Sequence, residues 1–264
     1  YRDANVNWEY TQKLISKINR KKSLFITQGF IGADENNFTT TLGREGSDFT
    51  AAILGTSLDA GSVTIWKDVP GVLNADPKLF PNTQKFEELG YREAAEMTYF
   101  GASVIHPKTI KPLANAGIPL FVKSFLNPDA SGTKIHEHAA PHEVPTIVLK
   151  KDQILVSFKV TDFTFIEEKH IHRIYEQLQA LKLRVNMLQL SAISVSIVID
   201  AQLFKLEQLL DQLKGEFEIR YNEGLELLTI LKQKPEEIPP LLDGYQVLLE
   251  QSTRNTFQAV RRKV

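Results

Sequence analysis

Apolar residues along the first half of the chain recur at two spacings, and these predict an alternation of helices and strands. Val6, Trp8, Leu14, Ile15 and Ile18 repeat at helical intervals before a basic end at Asn19, Arg20, Lys21 and Lys22, and late cations suit a helix C-terminus. Residues 23–28 (SLFITQ) read as a short buried strand closed by Gly29. Residues 47–60 read as a helix, with Phe49, Ala52, Ile53 and Leu58 on one face and Ser47 or Asp48 as its cap. A second strand is expected at 62–67, then a loop rich in Pro, Gly, Asn and Asp at 68–81. Two short helices follow at 92–100 and 107–116, and a strand at 119–125. Strands separated by helices predict an α/β fold built on a mainly parallel, layered sheet.

The texture changes after residue 135. Residues 136–146 (HEHAAPHEVPT) read as a solvated linker, and no metal site is expected from His136, His138 and His142, because no helical carboxylate–histidine motif accompanies them. Beyond it, strand 154–160, helix 167–181, strands 185–190 and 192–200, helix 203–214 and strand 217–221 follow in the β-α-β-β-α-β, ferredoxin-like order. Strand 225–232, a helical piece at 238–242 and strands at 245–251 and 256–262 begin a second copy. The expected organisation is therefore an α/β part at 1–135, a linker at 136–146, a first α+β module at 147–223 and a partial second one at 224–264.

Composition narrows the function classes. The chain has 264 residues, 42% of them hydrophobic, which suffices for a substantial core. Its 31 basic and 32 acidic side chains give a net charge of −1, so no general attraction to nucleic acid or to an anionic membrane is expected. The absence of cysteine excludes disulfides and thiolate metal sites, and fits a cytoplasmic location.

Three polar loops carry the candidate chemistry. In TTTLGREGSDFTAA (39–52), Gly43 and Gly46 permit close backbone approach and positive φ. Ser47 and Asp48 stand at a helix start, and Arg44 offers a bidentate grip on a carboxylate or phosphate. A capped loop with a solvent-facing arginine explains the same residues equally well. IWKDVPGVLNADPK (65–78) leaves the end of a strand, where open α/β sheets place ligands. Its Lys67 and Lys78 suit phosphates, although a charged strand exit reads the same way. In FGASVIHPKTI (100–110), His106 before Pro107 reads as a structural cap.

Taken in order, ITQGFIG (26–32), TTTLGREGSDFTAA, IWKDVPGVLNADPK, EAAEMTYFGASVIHP (93–107) and GIPLFVKSFLNPDASGT (117–133) resemble the aspartate kinases of the amino acid kinase family. The C-terminal part resembles the tandem ACT modules that follow that kinase domain. The resemblance implies transfer of the γ-phosphoryl of ATP, carried with Mg2+ and without a dedicated protein metal site, to the side-chain carboxylate of L-aspartate. This is the first step toward lysine, threonine and methionine. It places Thr41, Gly43, Arg44, Gly46, Ser47 and Asp48 at the aspartate, with Arg44 on the substrate carboxylate and Asp48 catalytic. It places Lys67, Asp68, Val69, Asp76, Lys78 and Ser103 at the nucleotide. It further implies a homodimer through the ACT modules and an amino-acid effector, for which Asp162, Phe163, Asn186 and Ser191 are the positions to watch.

Three departures from the family pattern stand out. The lysine- and glycine-rich phosphate-binding signature of the family's N-terminal half has no counterpart, so the chain by itself is expected to be inactive. Lys67 stands where threonine or serine is common, and Ser103 where lysine is common. The loop VTDFTFIEEKH (160–170) contains no glycine, unlike effector loops of the family. Other amino acid kinases, and an ACT-type binding or assembly module without catalysis, are the competing readings.

Overall fold

The computed structural model describes residues 4–18, 24–102, 104–161 and 164–264. The chain forms two compact units, Tyr1–Val144 and Pro145–Val264.

The first unit begins with α1 (Trp8–Ile15), capped by Asn7, whose side chain accepts from the Tyr10 N–H. The basic end expected at residues 19–22 lies outside the described residues. A two-stranded antiparallel hairpin follows, β1 (Ile31–Ala33) with β2 (Thr39–Thr41). The strand expected at 23–28 is corrected here. Leu24–Gln28 takes no regular form, and Leu24 and Ile26 are exposed. An apolar run becomes a strand only where another strand supplies hydrogen bonds, and the hairpin forms further along, at Ile31.

Helix α2 (Gly46–Ser57) leads to β3 (Val63–Lys67), β4 (Glu88–Gly90), α3 (Tyr91–Phe100), α4 (Pro107–Asn115), β5 (Leu120–Ser124) and β6 (Thr133–His136). The sheet order is β3-β5-β6-β4. β3 runs parallel to β5 and β4 parallel to β6, but β5 and β6 are antiparallel. The sheet is thus mainly parallel, as expected, with one antiparallel pairing. β6 is the reason: after β5 the chain turns back at Gly132, in the left-handed region, where a Cβ would strike the Val122 carbonyl. α2 packs on α4, and Leu113, Leu120, Val122 and Leu89 are fully buried beneath them.

The linker expectation at 136–146 is also revised. His136 ends β6 and lies 3.3 Å from Glu88, and His142 pairs with Glu93 at 2.8 Å while its ring stacks on Phe86 at 4.6 Å. Two of these histidines thus dock on the first unit, and His138 is exposed.

The second unit contains β7 (Thr146–Val160), α5 (Glu168–Ala180), β8 (Val185–Leu190), β9 (Ser194–Asp200), α6 (Leu203–Leu213), β10 (Phe217–Leu231), α7 (Ile238–Leu242), β11 (Tyr245–Ser252) and β12 (Thr256–Lys263). Its six-stranded sheet has the order β11-β12-β10-β7-β9-β8. Strands β10-β7-β9-β8 give the ferredoxin-like arrangement, with the fourth strand beside the first and the third beside the second. Alternation decides the faces: Ile154, Val156 and Phe158 join Ile174, Leu178, Leu206, Leu209 and Leu213 beneath the helices, while Leu155 packs with Leu225, Leu227 and Val260 on the other side. Strands predicted separately at 217–221 and 225–232 are one strand, β10, with register shifts against β7 between Asn222 and Leu227. Among the described residues, no helix is long and apolar enough to cross a membrane.

Candidate functional site at the start of helix α2

The site is built by a staple between ITQGF and the first turn of α2. Phe30 has φ 75°, its N–H donates to Thr50 Oγ1 at 3.0 Å, and its carbonyl accepts from the Leu42 N–H at 2.9 Å. Thr50 Oγ1 in turn donates to the Gly46 carbonyl at 2.8 Å. Two glycines make this approach feasible. A Cβ on Gly29 would lie 3.0 Å from the Ser47 Cα, and one on Gly46 would lie 2.7 Å from the Phe30 ring. The sequence therefore brings the QGF turn against the LGREGSD turn through missing side chains.

The helix starts one residue earlier than the pattern predicts. Gly43 (φ 79°) and Glu45 (φ 53°) both adopt left-handed backbone, and Glu45 is the N-cap without a side-chain cap bond. Ser47 and Asp48 are thereby corrected from caps to first-turn residues, where free N–H groups and the helix dipole favour negative charge. Arg44 and Ser47 are exposed and Thr41 is half-buried. Glu45, a residue without a sequence signal of its own, has a buried Oε2 with no hydrogen-bond partner among the described residues.

β3 delivers the complementary charge. Lys67 is its last residue, and Lys67 Nζ lies 2.7 Å from Asp48 Oδ2, the two side chains being 25% and 15% exposed. That Oδ2 is otherwise buried, and the contact is an ion pair outside hydrogen-bond alignment. The Lys67 carbonyl accepts from the Phe125 N–H at 3.0 Å, which ties the C-terminal ends of parallel β3 and β5 together. Helix start and strand ends thus meet at one charged point, the position at which open α/β sheets hold ligands.

The remaining nucleotide candidates spread along the loop after β3. Asp68 is exposed and Val69 half-buried. Asp76 is engaged in its own turn: its Oδ1 accepts from the Lys78 N–H at 2.9 Å, and its carbonyl accepts from Leu79 and Phe80. Lys78 is exposed. The loop is pinned to the sheet at Thr133, which accepts from the Val72 N–H at 2.9 Å and donates to the Phe86 carbonyl at 2.5 Å. Lys85 bonds Glu87, Ser131 and the Gly132 carbonyl nearby, and its hydrogen bond, followed by that of Ser131, holds the Glu87 carboxyl below its ordinary range. Ser103 lies outside the described residues. His106 caps α4 through its Nδ1, as its place before proline predicts. Among the described residues, no group of three His, Asp or Glu side chains is placed to hold a metal ion.

Of the positions expected to bind an effector, Asn186 and Ser191 lie apart on β8 and its turn. Asp162 and Phe163 lie outside the described residues. Asn186 is fully engaged: Lys150 Nζ donates to its Oδ1 at 2.8 Å, and its Nδ2 donates to Gln153 and Asp200 at 2.8 Å each. At Asp200, burial pushes the carboxyl up. The hydrogen bonds from Gln153 and Asn186 and the charges of Lys150 and Arg184 outweigh it, and the group lies below its ordinary 3.8. Ser191 closes the β8–β9 turn through the Ser194 N–H and hydroxyl, roughly 17 Å along the strand from Asn186 at ordinary strand rise.

Residues 2–124 match the model of the amino acid kinase family. The chain is 33% identical over 227 residues to lysine-sensitive aspartokinase 3 of Escherichia coli K12, covering 83% of this chain and 50% of that protein. It is 32% identical to the chloroplastic aspartokinase 3 of Arabidopsis thaliana, covering 79% of this chain and 38% of that one. The chain thus spans half or less of the length of these relatives. Among solved structures, Escherichia coli aspartokinase III in complex with aspartate and ADP superposes with a TM-score of 0.75 at 28% identity, covering 89% of this chain and 56% of that chain. Clostridium acetobutylicum aspartate kinase shares the fold, with a TM-score of 0.80 at 22% identity over 99% of this chain and 64% of that one.

Proposed function

We propose, for a chain that belongs to the amino acid kinase family through residues 2–124 and has aspartokinases as relatives, that its first unit supplies the amino-acid site and part of the nucleotide site of an aspartate kinase. The observation that carries this reading is the contact of Asp48 with Lys67 where the start of α2 faces the end of β3, with Arg44 exposed two residues before the helix. L-aspartate presents two carboxylates and one ammonium. Arg44 matches a carboxylate in bidentate fashion, the α2 N–H groups reinforce it, and Asp48 matches the ammonium. Lys67 and the loop through Asp68, Val69, Asp76 and Lys78 face the polyphosphate, with Thr41, Gly43, Gly46 and Ser47 shaping the amino-acid side and Ser103 bordering the nucleotide. An aspartokinase relative that holds aspartate and ADP supports the substrate assignment.

The reaction is a phosphoryl transfer. A side-chain carboxylate oxygen of aspartate attacks the γ-phosphorus, the bond to the bridging oxygen breaks, and ADP leaves. Such transfer needs positioning and charge compensation more than covalent help. Magnesium carried with the nucleotide would neutralise phosphate charge, and the residues described here contribute orientation. The product would feed synthesis of aspartate-derived amino acids such as lysine.

Spanning half the length of its relatives, the chain by itself is proposed to be inactive, and the full polypeptide that carries it to be active in the cytoplasm. A coupled ADP-release assay with aspartate and MgATP tests both. Turnover by the full polypeptide that falls at least 100-fold in Asp48→Asn supports the assignment, and turnover unaffected by that change rules it out. The second unit is proposed to be an ACT-type module that pairs chains into a homodimer and receives an amino-acid effector. In support, β8 and β11 end the sheet without a further strand among the described residues. Light scattering checks the dimer.

A further inference from the structure

We infer that Lys67 and Asp48 form an exchangeable ion pair that couples the two substrate sites, each ligand releasing the residue that the other needs. The inference rests on the aspartate kinase reading above. Its basis is the 2.7 Å contact between Lys67 Nζ and Asp48 Oδ2, an oxygen that is buried and has no hydrogen-bond partner. An ammonium group of an incoming amino acid cannot approach that oxygen while the lysine ammonium occupies it, since two cations at one carboxylate oxygen repel. The same lysine cannot reach a phosphate while it is held by Asp48.

The two residues differ in mobility. Asp48 sits on a short stem in the first turn of α2, behind the staple of Phe30 and Thr50. Apart from the contact with Asp48, Lys67 is held by its backbone at the end of β3, and its flexible four-carbon stem carries a point charge with three donors. The exchange therefore moves the lysine. A nucleotide phosphate at the strand ends draws Lys67 outward and uncovers Asp48 for the substrate ammonium. An amino acid that takes Asp48 displaces Lys67 toward the phosphates. Linkage makes the effect reciprocal, so each ligand tightens the other by the same factor. A threonine or serine at this position, the residue type common in the family, has neither the charge nor the reach to act in this way.

Calorimetry on the full polypeptide tests the coupling. L-aspartate is titrated with and without saturating MgADP, in the wild type, in Lys67→Met and in Lys67→Thr. The wild type is expected to bind aspartate about fivefold or more tightly with MgADP present, the lower end of ordinary coupling between sites. Both variants are expected to bind aspartate more tightly than the wild type when nucleotide is absent, because the competitor is gone. MgADP then changes their affinity less than twofold. A permanent structural pair gives the opposite result: the variants bind aspartate more weakly without nucleotide and keep the wild-type coupling, which overturns the exchange. Wild-type protein that binds both ligands without coupling also overturns it, while leaving the aspartate kinase reading intact. Wild-type protein that binds neither ligand overturns that reading and the exchange with it. Two variants of different size at position 67 guard against one of them failing to fold.

Discussion

Asp48 and Gly46 show how much a single position carries here. Asp48 is two residues into α2, and its charge is balanced by one lysine from a different element, 19 residues later in the sequence (67 − 48). That the pair forms was not legible in the sequence, because spacing alone does not say that a strand end meets a helix start. The residue types were legible: a glycine-rich turn with an arginine at a helix start reads as an anion site, and equally as a capped loop, until the family resemblance chooses between them. The missing side chain at Gly46 is equally consequential. A methyl there meets the Phe30 ring at 2.7 Å, so Gly46→Ala forces the ITQGF turn off the helix. Overpacking of this kind costs about 1–3 kcal/mol. We expect Gly46→Ala to lower the melting temperature and to weaken aspartate binding together, whereas Gly61→Ala, with open space around its Cβ, should alter neither. Parallel thermal melts and titrations check the pair.

Among the elements, helices were read more accurately than strands, for a physical reason. The helical periodicity of α2, α4, α5 and α6 is local, and their observed bounds fall within a few residues of those predicted. A strand needs a neighbour. The apolar run at 24–28 reads as a strand but has no ladder among the described residues, while β4 and β6, three and four residues long, are strands because β4 pairs with β6 and β6 with β5 as well. The long strand β10 hid behind its polar middle, Asn222 to Gly224, which sits opposite the register shift against β7. At that irregularity the network of Lys150, Gln153, Asn186 and Asp200 ties β7, β8 and β9 together. Asp200 has a carboxyl held below its ordinary 3.8 in the folded protein, so it binds protons less readily folded than unfolded. Its contribution to stability is present above the unfolded value and disappears as pH falls through the folded one. We expect the melting temperature of wild type to exceed that of Asp200→Leu at neutral pH. The difference should shrink as the pH falls below the ordinary carboxylate value of 3.8; a difference independent of pH would show that the ionised form contributes nothing. Asn186→Ala should also lower stability, since it leaves Gln153, 2% exposed, without a partner for Oε1.

On the scale of the whole molecule, two compact units have separate cores, and the second is organised around Ile154, Val156, Phe158 and Ile197 under α5 and α6. Truncating Ile197, fully buried in the middle of β9, to alanine should cost about 2–5 kcal/mol, measured by urea unfolding of the second unit's transition. If the units unfold independently, the first unit's transition stays in place; a shift of both would show that they unfold together. A change of texture is legible in the sequence, where the helix–strand alternation gives way to the β-α-β-β-α-β order, whereas the two units divide at Val144 and Pro145. The role of His142 in finishing the first unit, by docking on Phe86 and Glu93, was not visible in a segment that reads as polar linker.

We propose that the α2–β3 junction is an aspartate site, with Arg44 as its carboxylate anchor. Arg44 is exposed and engages no carboxylate among the described residues, so replacing it removes a ligand contact without opening the core. The most direct measurement is the dissociation constant of L-aspartate for the full polypeptide in the presence of MgADP, in wild type and Arg44→Ala. Loss of a hydrogen-bonded charge partner costs about 2–5 kcal/mol, so the constant should rise at least about 30-fold while the melting temperature without ligand stays within about 2 °C. An unchanged dissociation constant in Arg44→Ala would contradict the claim.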